Sequence, residues 1–122
     1  MSDEITIYHN PSCTKSKASL ELITSMRLKP KVKLYLEEII LYEELNNILN
    51  MLNLKPRDLL RKSEKEYKTY NLDNQDFNDE DIIKLMIQNP ILIERPIVIV
   101  GKLAVLGRPP ENILKIFKNR TR

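Results

Sequence analysis

The sequence predicts an α/β fold: a four-stranded mixed sheet with flanking helices and an inserted helical segment. Three observations lead there. A strand–helix–strand pattern occupies the first 35 residues, helical periodicity fills the middle, and two short apolar strands followed by a helix close the chain.

Ile5-Thr6-Ile7-Tyr8 is β-branched and aromatic and is bounded by His9-Asn10-Pro11, which reads as a strand. Residues 14–26 read as a helix, with Ala18, Leu22, Ile23 and Met26 at helical spacing toward the core. Val32 to Tyr35, after Pro30, is a second strand. So short a strand–helix–strand unit implies parallel strands with a right-handed crossover. Leu41, Leu45, Ile48, Leu49 and Leu52 then fall on one face of a helix. Pro56 can open a short helix ending near Arg61, and the polar stretch from Lys62 to Asp76 carries no predicted element. Asn78 suits an N-cap. Asp79, Glu80 and Asp81 follow it where carboxylates oppose the positive end of the helix dipole, and the helix runs to about Gln88, before Asn89-Pro90. Ile97 to Val100 and Leu103 to Leu106 are strands joined by Gly101-Lys102, a loop suited to a type II′ hairpin. Pro109-Pro110 precedes a final helix with Ile113, Leu114 and Phe117 inward.

A length of 122 residues fits one domain over 1–122, with the helical insert at about 40–90. The single cysteine cannot form an internal disulfide, which points to a reducing compartment. The acidic start, Met1-Ser2-Asp3-Glu4, lacks the basic region of a signal peptide. The longest apolar stretch is broken by Gly101-Lys102 and falls short of the about 20 residues a membrane span needs. The expectation is a soluble, cytoplasmic chain without membrane contact. The net charge of +3 rests partly on Lys115, Lys118, Arg120 and Arg122, which read as a solvated, frayed tail. Aromatics make up 6% and none interleaves with that tail, which argues against nucleic-acid binding. No oligomer interface is evident, so a monomer is expected.

Cys13 follows the first strand and stands at the start of the first helix. The free N–H groups and dipole of a helix start favour a thiolate, and Lys15 and Lys17 add positive charge. The alternative is an inert cysteine acting as a small hydrophobe. Ser16 completes a C-x-x-S spacing: it can donate a hydrogen bond to the thiolate or simply cap the helix, but cannot form a disulfide. His9, the one histidine, can tune the thiolate or be an ordinary loop residue. One Cys and one His do not suffice for a metal site. Arg61, Arg95 and Arg108 each sit at the edge of an element. Singly they read as surface or ion-paired arginines. If they converged, three guanidinium forks would hold a tetrahedral oxyanion. Pro96 follows Arg95, and a trans bond is the ordinary expectation there.

Tyr8-His9-Asn10-Pro11-x-Cys13-x-x-Ser16 resembles the catalytic loop of glutaredoxin-linked arsenate reductases. Leu59-Leu60-Arg61-Lys62, then Asn89-Pro90-Ile91-Leu92-Ile93-x-Arg95-Pro96-Ile97-Val98, then Gly107-Arg108-Pro109 resemble three further blocks in the same order. The resemblance implies a thioredoxin-like fold and a route from arsenate to arsenite. Cys13 matches the nucleophile that forms a thiol-bound arsenate. Glutathione is the implied co-substrate, glutaredoxin the implied partner, and no bound cofactor is implied. Arg61, Arg95 and Arg108 match the arginines that hold the oxyanion, and His9 matches the histidine that influences the nucleophile. Arg95-Pro96 matches the cis-proline step of thioredoxin-like sites, so the resemblance reverses the trans expectation. Thr14-Lys15 and Lys17 depart from the family, where a Gly-Thr pair and an arginine are common. Two other readings stay open. A glutathione-dependent thiol oxidoreductase would not need the arginine set. A Spx-like regulator that binds RNA polymerase shares the fold, but typically carries C-x-x-C where this chain has Ser16.

Overall fold

The computed structural model describes residues 4–118. These group into two compact units. One comprises the described residues up to Glu38 together with those from Arg95 on; the other is Ile39–Glu94.

The first unit contains the sheet. Strands β1 (Ile5–Tyr8), β2 (Lys31–Lys33), β3 (Ile97–Val100) and β4 (Leu103–Leu106) lie in the order β2-β1-β3-β4. β1 pairs parallel with β2, with Ile7 opposite Val32, and antiparallel with β3, with Ile7 opposite Val98. β3 and β4 form the hairpin, in which Gly101 takes φ 61 while Lys102 does not go positive, as a type II′ turn requires. The mixed four-stranded sheet is therefore as the sequence predicts. β2 differs by a register step. The sequence favours 32–35, yet the strand stops at Lys33, because Leu34 N–H is taken by the Glu38 carboxylate at 3.0 Å while Leu34 C=O accepts from Glu37 and Glu38 N–H. A turn thus captures the groups that would have continued the ladder.

Helix α1 (Thr14–Ser25) packs with the 3₁₀ turn Pro110–Ile113, which leads into α5 (Leu114–Lys118). Ile5, Ile7, Ile23, Val98, Val100, Ile113, Ile116 and Phe117 form the core beneath the sheet. Burying each such side chain contributes about 1.5–3 kcal/mol. Of the residues expected to face inward on α1, Ile23 is buried and Ala18, Leu22 and Met26 are half-buried. The first half of the helix instead buries Ser16 and Ser19, so its inner face there is lined by hydroxyls rather than hydrocarbon. Arg120 and Arg122 of the basic tail, and the acidic start up to Asp3, lie outside the described residues.

The second unit is helical. Helix α2 (Tyr42–Leu52) buries Leu45, Ile48 and Leu49, and α4 (Asp79–Gln88) buries Ile82, Ile83 and Met86 against it. Asn78 is the N-cap as expected: its side-chain oxygen accepts from Asp81 N–H at 2.8 Å, and the Asp81 carboxylate accepts from Asn78 N–H at 3.1 Å. Such a reciprocal cap is worth about 1 kcal/mol. The helix expected at Pro56 is a 3₁₀ turn, Pro56–Leu59, and it stops short of Arg61 because Leu60 turns extended to bridge Ile93. The polar stretch 62–76, read as irregular, contains one helical turn, α3 (Lys65–Thr69), anchored by buried Tyr67. Arg57 ties the following loop down, donating to the carbonyls of Leu72, Asn74 and Phe77 at 2.8 to 3.0 Å. Among the described residues no helix is long and apolar enough to cross a membrane.

Candidate active site

The site begins in the loop between β1 and α1. Asn10 organises it. Its side-chain oxygen accepts from Ser12 N–H at 2.9 Å, and its carbonyl accepts from Cys13 N–H at 3.0 Å. This Asx turn delivers Cys13 to the N-cap position of α1 with φ −96 and ψ 123. The Cys13 carbonyl accepts the first helical hydrogen bond, from Lys17 N–H at 3.0 Å. The cysteine is half-buried and free.

Burial pushes the Cys13 thiol up, yet it settles below its ordinary value. Ser16 N–H, the Arg95 guanidinium and Lys15 N–H all donate toward the sulfur, and the positive charge of Arg95 adds to them. Donors at a helix start combined with a fixed cation favour the thiolate over the thiol.

Ser16 plays a different part from the one its spacing suggests. The spacing allows its hydroxyl either to donate to the thiolate or to cap the helix. In the structure the hydroxyl lies 2.7 Å from His9 Nδ1 and accepts from Asn10 N–H at 3.0 Å, while the Ser16 backbone N–H serves the sulfur. The side chain is fully buried on the inner face of α1, which aims it back at the loop. His9, itself 6% exposed, is thus tied to the start of α1 through the Ser16 hydroxyl. Burial, with the nearby Lys17 charge, lowers the His9 pKa below its ordinary value, so the ring is neutral at pH 7.

Arg95 enters two residues before β3, with Pro96 between. It is 7% exposed, and the Arg95–Pro96 bond is cis. Arg108 follows β4, also before a cis proline, and its Nη1 donates to Arg95 C=O at 3.1 Å. Asn112 holds that segment in turn, its side-chain amide donating to Arg108 C=O at 3.0 Å. Cys13, His9, Ser16, Arg95, Pro96 and Arg108 thus all belong to the sheet unit. Arg61 belongs to the helical unit, where its guanidinium is ion-paired with Glu64 and Glu94. Sequence reasoning had not singled out Asn10, Asn112, Glu64 or Glu94 as site residues. The Asn-Pro-Ser order did hold a local signal, since such asparagines bond their own backbone two residues on. Among the described residues no group of three or more His, Cys, Asp or Glu side chains is placed to hold a metal ion.

Gly107 locks the two proline segments together. Its N–H donates to Pro96 C=O at 2.9 Å, and a Cβ at this position would overlap the buried Ser19 hydroxyl and come within 2.7 Å of Pro96 Cγ. Gly107→Ala is expected to destabilise the protein by about 1–3 kcal/mol, as overpacking does. The rate of Cys13 alkylation should fall with it, because Pro96 carries Arg95, which donates toward the Cys13 sulfur. Thermal unfolding measured beside iodoacetamide alkylation of Cys13 checks this; a melting temperature and rate equal to wild type would show that the contact yields.

The ArsC family pattern matches residues 8–116. The chain is 40% identical over 117 residues to an uncharacterised Escherichia coli protein, YfgD, covering 95% of this chain and 98% of that one. It is 40% identical over 114 residues to an arsenate reductase of Haemophilus influenzae, covering 93% and 98%. Among solved structures, an arsenate reductase from Vibrio cholerae superposes with TM-score 0.92 at 38% identity, covering 95% of this chain and 99% of the other.

Proposed function

The chain belongs to the ArsC family, and from that premise we propose that it is an arsenate reductase whose Cys13 thiolate carries the reaction with glutathione and glutaredoxin as electron donors. The observation supporting this most directly is the Cys13 setting: a helix N-cap with two backbone donors and the Arg95 guanidinium at the sulfur.

In this reading the Cys13 thiolate attacks arsenic, a sulfur–arsenic bond forms, and an arsenate oxygen leaves as water. Arg95, Arg108 and Arg61 supply the charge that offsets the oxyanion. Glutathione thiolate then attacks the Cys13 sulfur. A sulfur–sulfur bond forms, the sulfur–arsenic pair stays on arsenic, As(V) becomes As(III), and arsenite departs. Glutaredoxin takes the glutathione from the mixed disulfide and returns Cys13 to its thiolate. The lone cysteine suits this scheme, because the second thiol comes from outside. His9 and Ser16 orient the loop that presents Cys13. The same reading takes residues 1–122 as one functional domain, acting as a monomer in the reducing cytoplasm with no resident cofactor.

The test is arsenate-dependent NADPH oxidation with glutathione, glutaredoxin and glutathione reductase. Turnover that requires all three components and this protein is the expected result. Folded protein that leaves arsenate untouched yet reduces a small mixed disulfide would overturn the reading in favour of a thiol exchanger.

A further inference from the structure

Arg61 is met by carboxylates on two sides. Its Nε donates to Glu64 at 3.1 Å and its Nη1 to Glu94 at 2.9 Å. The backbone sets up this arrangement. Arg61 N–H donates to Leu92 C=O at 2.7 Å, Glu94 N–H donates to Leu59 C=O at 2.9 Å, and Leu60 bridges Ile93 antiparallel. That register makes Arg61 and Glu94 diagonal neighbours across the bridge, within reach of long side chains. Glu64 is the N-cap residue of α3, so the start of that helix fixes its position. The three side chains are 16%, 23% and 25% exposed, so water screens the charges only in part. One guanidinium against two carboxylates leaves a formal charge of −1.

We propose that Glu64 and Glu94 act as a carboxylate brake on Arg61, setting how strongly it takes an oxyanion. The inference rests on the reading above, in which Arg61 is one of the oxyanion-binding arginines. Guanidinium has five N–H donors in a fixed fork, and the two carboxylates already hold Nε and one Nη1 donor. An incoming oxyanion competes with them for those donors and meets their repulsion at the same moment. Both glutamates are therefore positioning residues: they act on the anion through Arg61.

The experiment compares Glu94→Gln, Glu64→Gln and the double variant with wild type in the coupled arsenate assay, with sulfate as a competing inhibitor. Glutamine keeps the size and one acceptor but removes the charge. The expected result is a KM for arsenate about threefold to tenfold lower for each variant, with sulfate inhibition tightened in parallel and kcat held within about twofold. In an Arg61→Ala background the same exchanges should leave KM unmoved, because the two sites are coupled only through the guanidinium. A KM unchanged or raised in all the glutamine variants, while Arg61→Ala raises it, overturns the brake and leaves the arsenate reading standing. A wild-type KM in Arg61→Ala overturns the role of Arg61 itself, and the brake with it.

Discussion

Cys13→Ser is expected to bring arsenate turnover down to the assay background, a loss of at least about 1,000-fold. The exchange is nearly isosteric, but an alcohol gives up its proton far less readily than a thiol. The donors at the sulfur bring a thiol below its ordinary pKa, and a hydroxyl starts several units too high for the same donors to ionise it. Serine also cannot supply the soft sulfur whose bond pair reduces arsenic in the second step. The fold should not suffer. Cys13 is the N-cap of α1 and makes no side-chain cap hydrogen bond, whereas serine is among the preferred N-cap residues. The melting temperature should hold or rise slightly while activity disappears, which separates lost chemistry from lost structure. Turnover within tenfold of wild type would remove Cys13 from the reaction.

Arg95→Ala is expected to have the next largest effect, lowering kcat/KM by about 100- to 1,000-fold. Two consequences of one deletion combine here. Burial raises the Cys13 thiol pKa, and Arg95 opposes it with both a hydrogen bond and a charge. Without the guanidinium the thiolate is less favoured, so the pKa moves upward. The oxyanion loses a fork in the same stroke. The two effects separate in the rate of Cys13 alkylation by iodoacetamide as a function of pH, which follows thiolate alone. The wild-type profile should level off below the ordinary thiol range, and the Arg95→Ala profile should shift to higher pH. Arg95→Lys keeps the charge without the planar fork, so it should recover more of the alkylation profile than of the arsenate rate. Coincident wild-type and Arg95→Ala profiles would show that the helix N-terminus sets the thiolate without help.

The strands and the long helices were legible because their side-chain periodicity is local. β3 and β4 are where alternating and β-branched residues predict them, and Asn78 caps α4 as its neighbours suggest. What escaped depends on partners distant in sequence or on side chains that intercept the backbone. β2 ends early because a glutamate four residues on takes the Leu34 N–H. α3 shows no amphipathic stripe, since Tyr67 is its one buried residue. In the site, the nucleophile and its cationic partner were visible as residue types. The direction of the Ser16 hydroxyl was not, because a C-x-x-S spacing fixes where the serine stands on the helix and leaves open what lies behind it. The partners of Arg61 were hidden for a similar reason: Glu94 is 33 residues away and reaches it only through the Leu60–Ile93 bridge.

The buried hydrogen bond between His9 and Ser16 also makes the loop between β1 and α1 a place where acid acts on folding. The imidazole is harder to protonate in the folded chain, its pKa lying below the ordinary value because of burial and, secondarily, Lys17. The unfolded chain is free to take up that proton once the pH drops under about 6.5. In that window the unfolded state binds more protons than the folded one, so stability falls as pH falls, and above it this residue adds no slope. With one histidine in the sequence, the imidazole C–H resonance reads this proton uptake at a single position. The loop that presents Cys13 thus carries its own report of when acidification begins to loosen it.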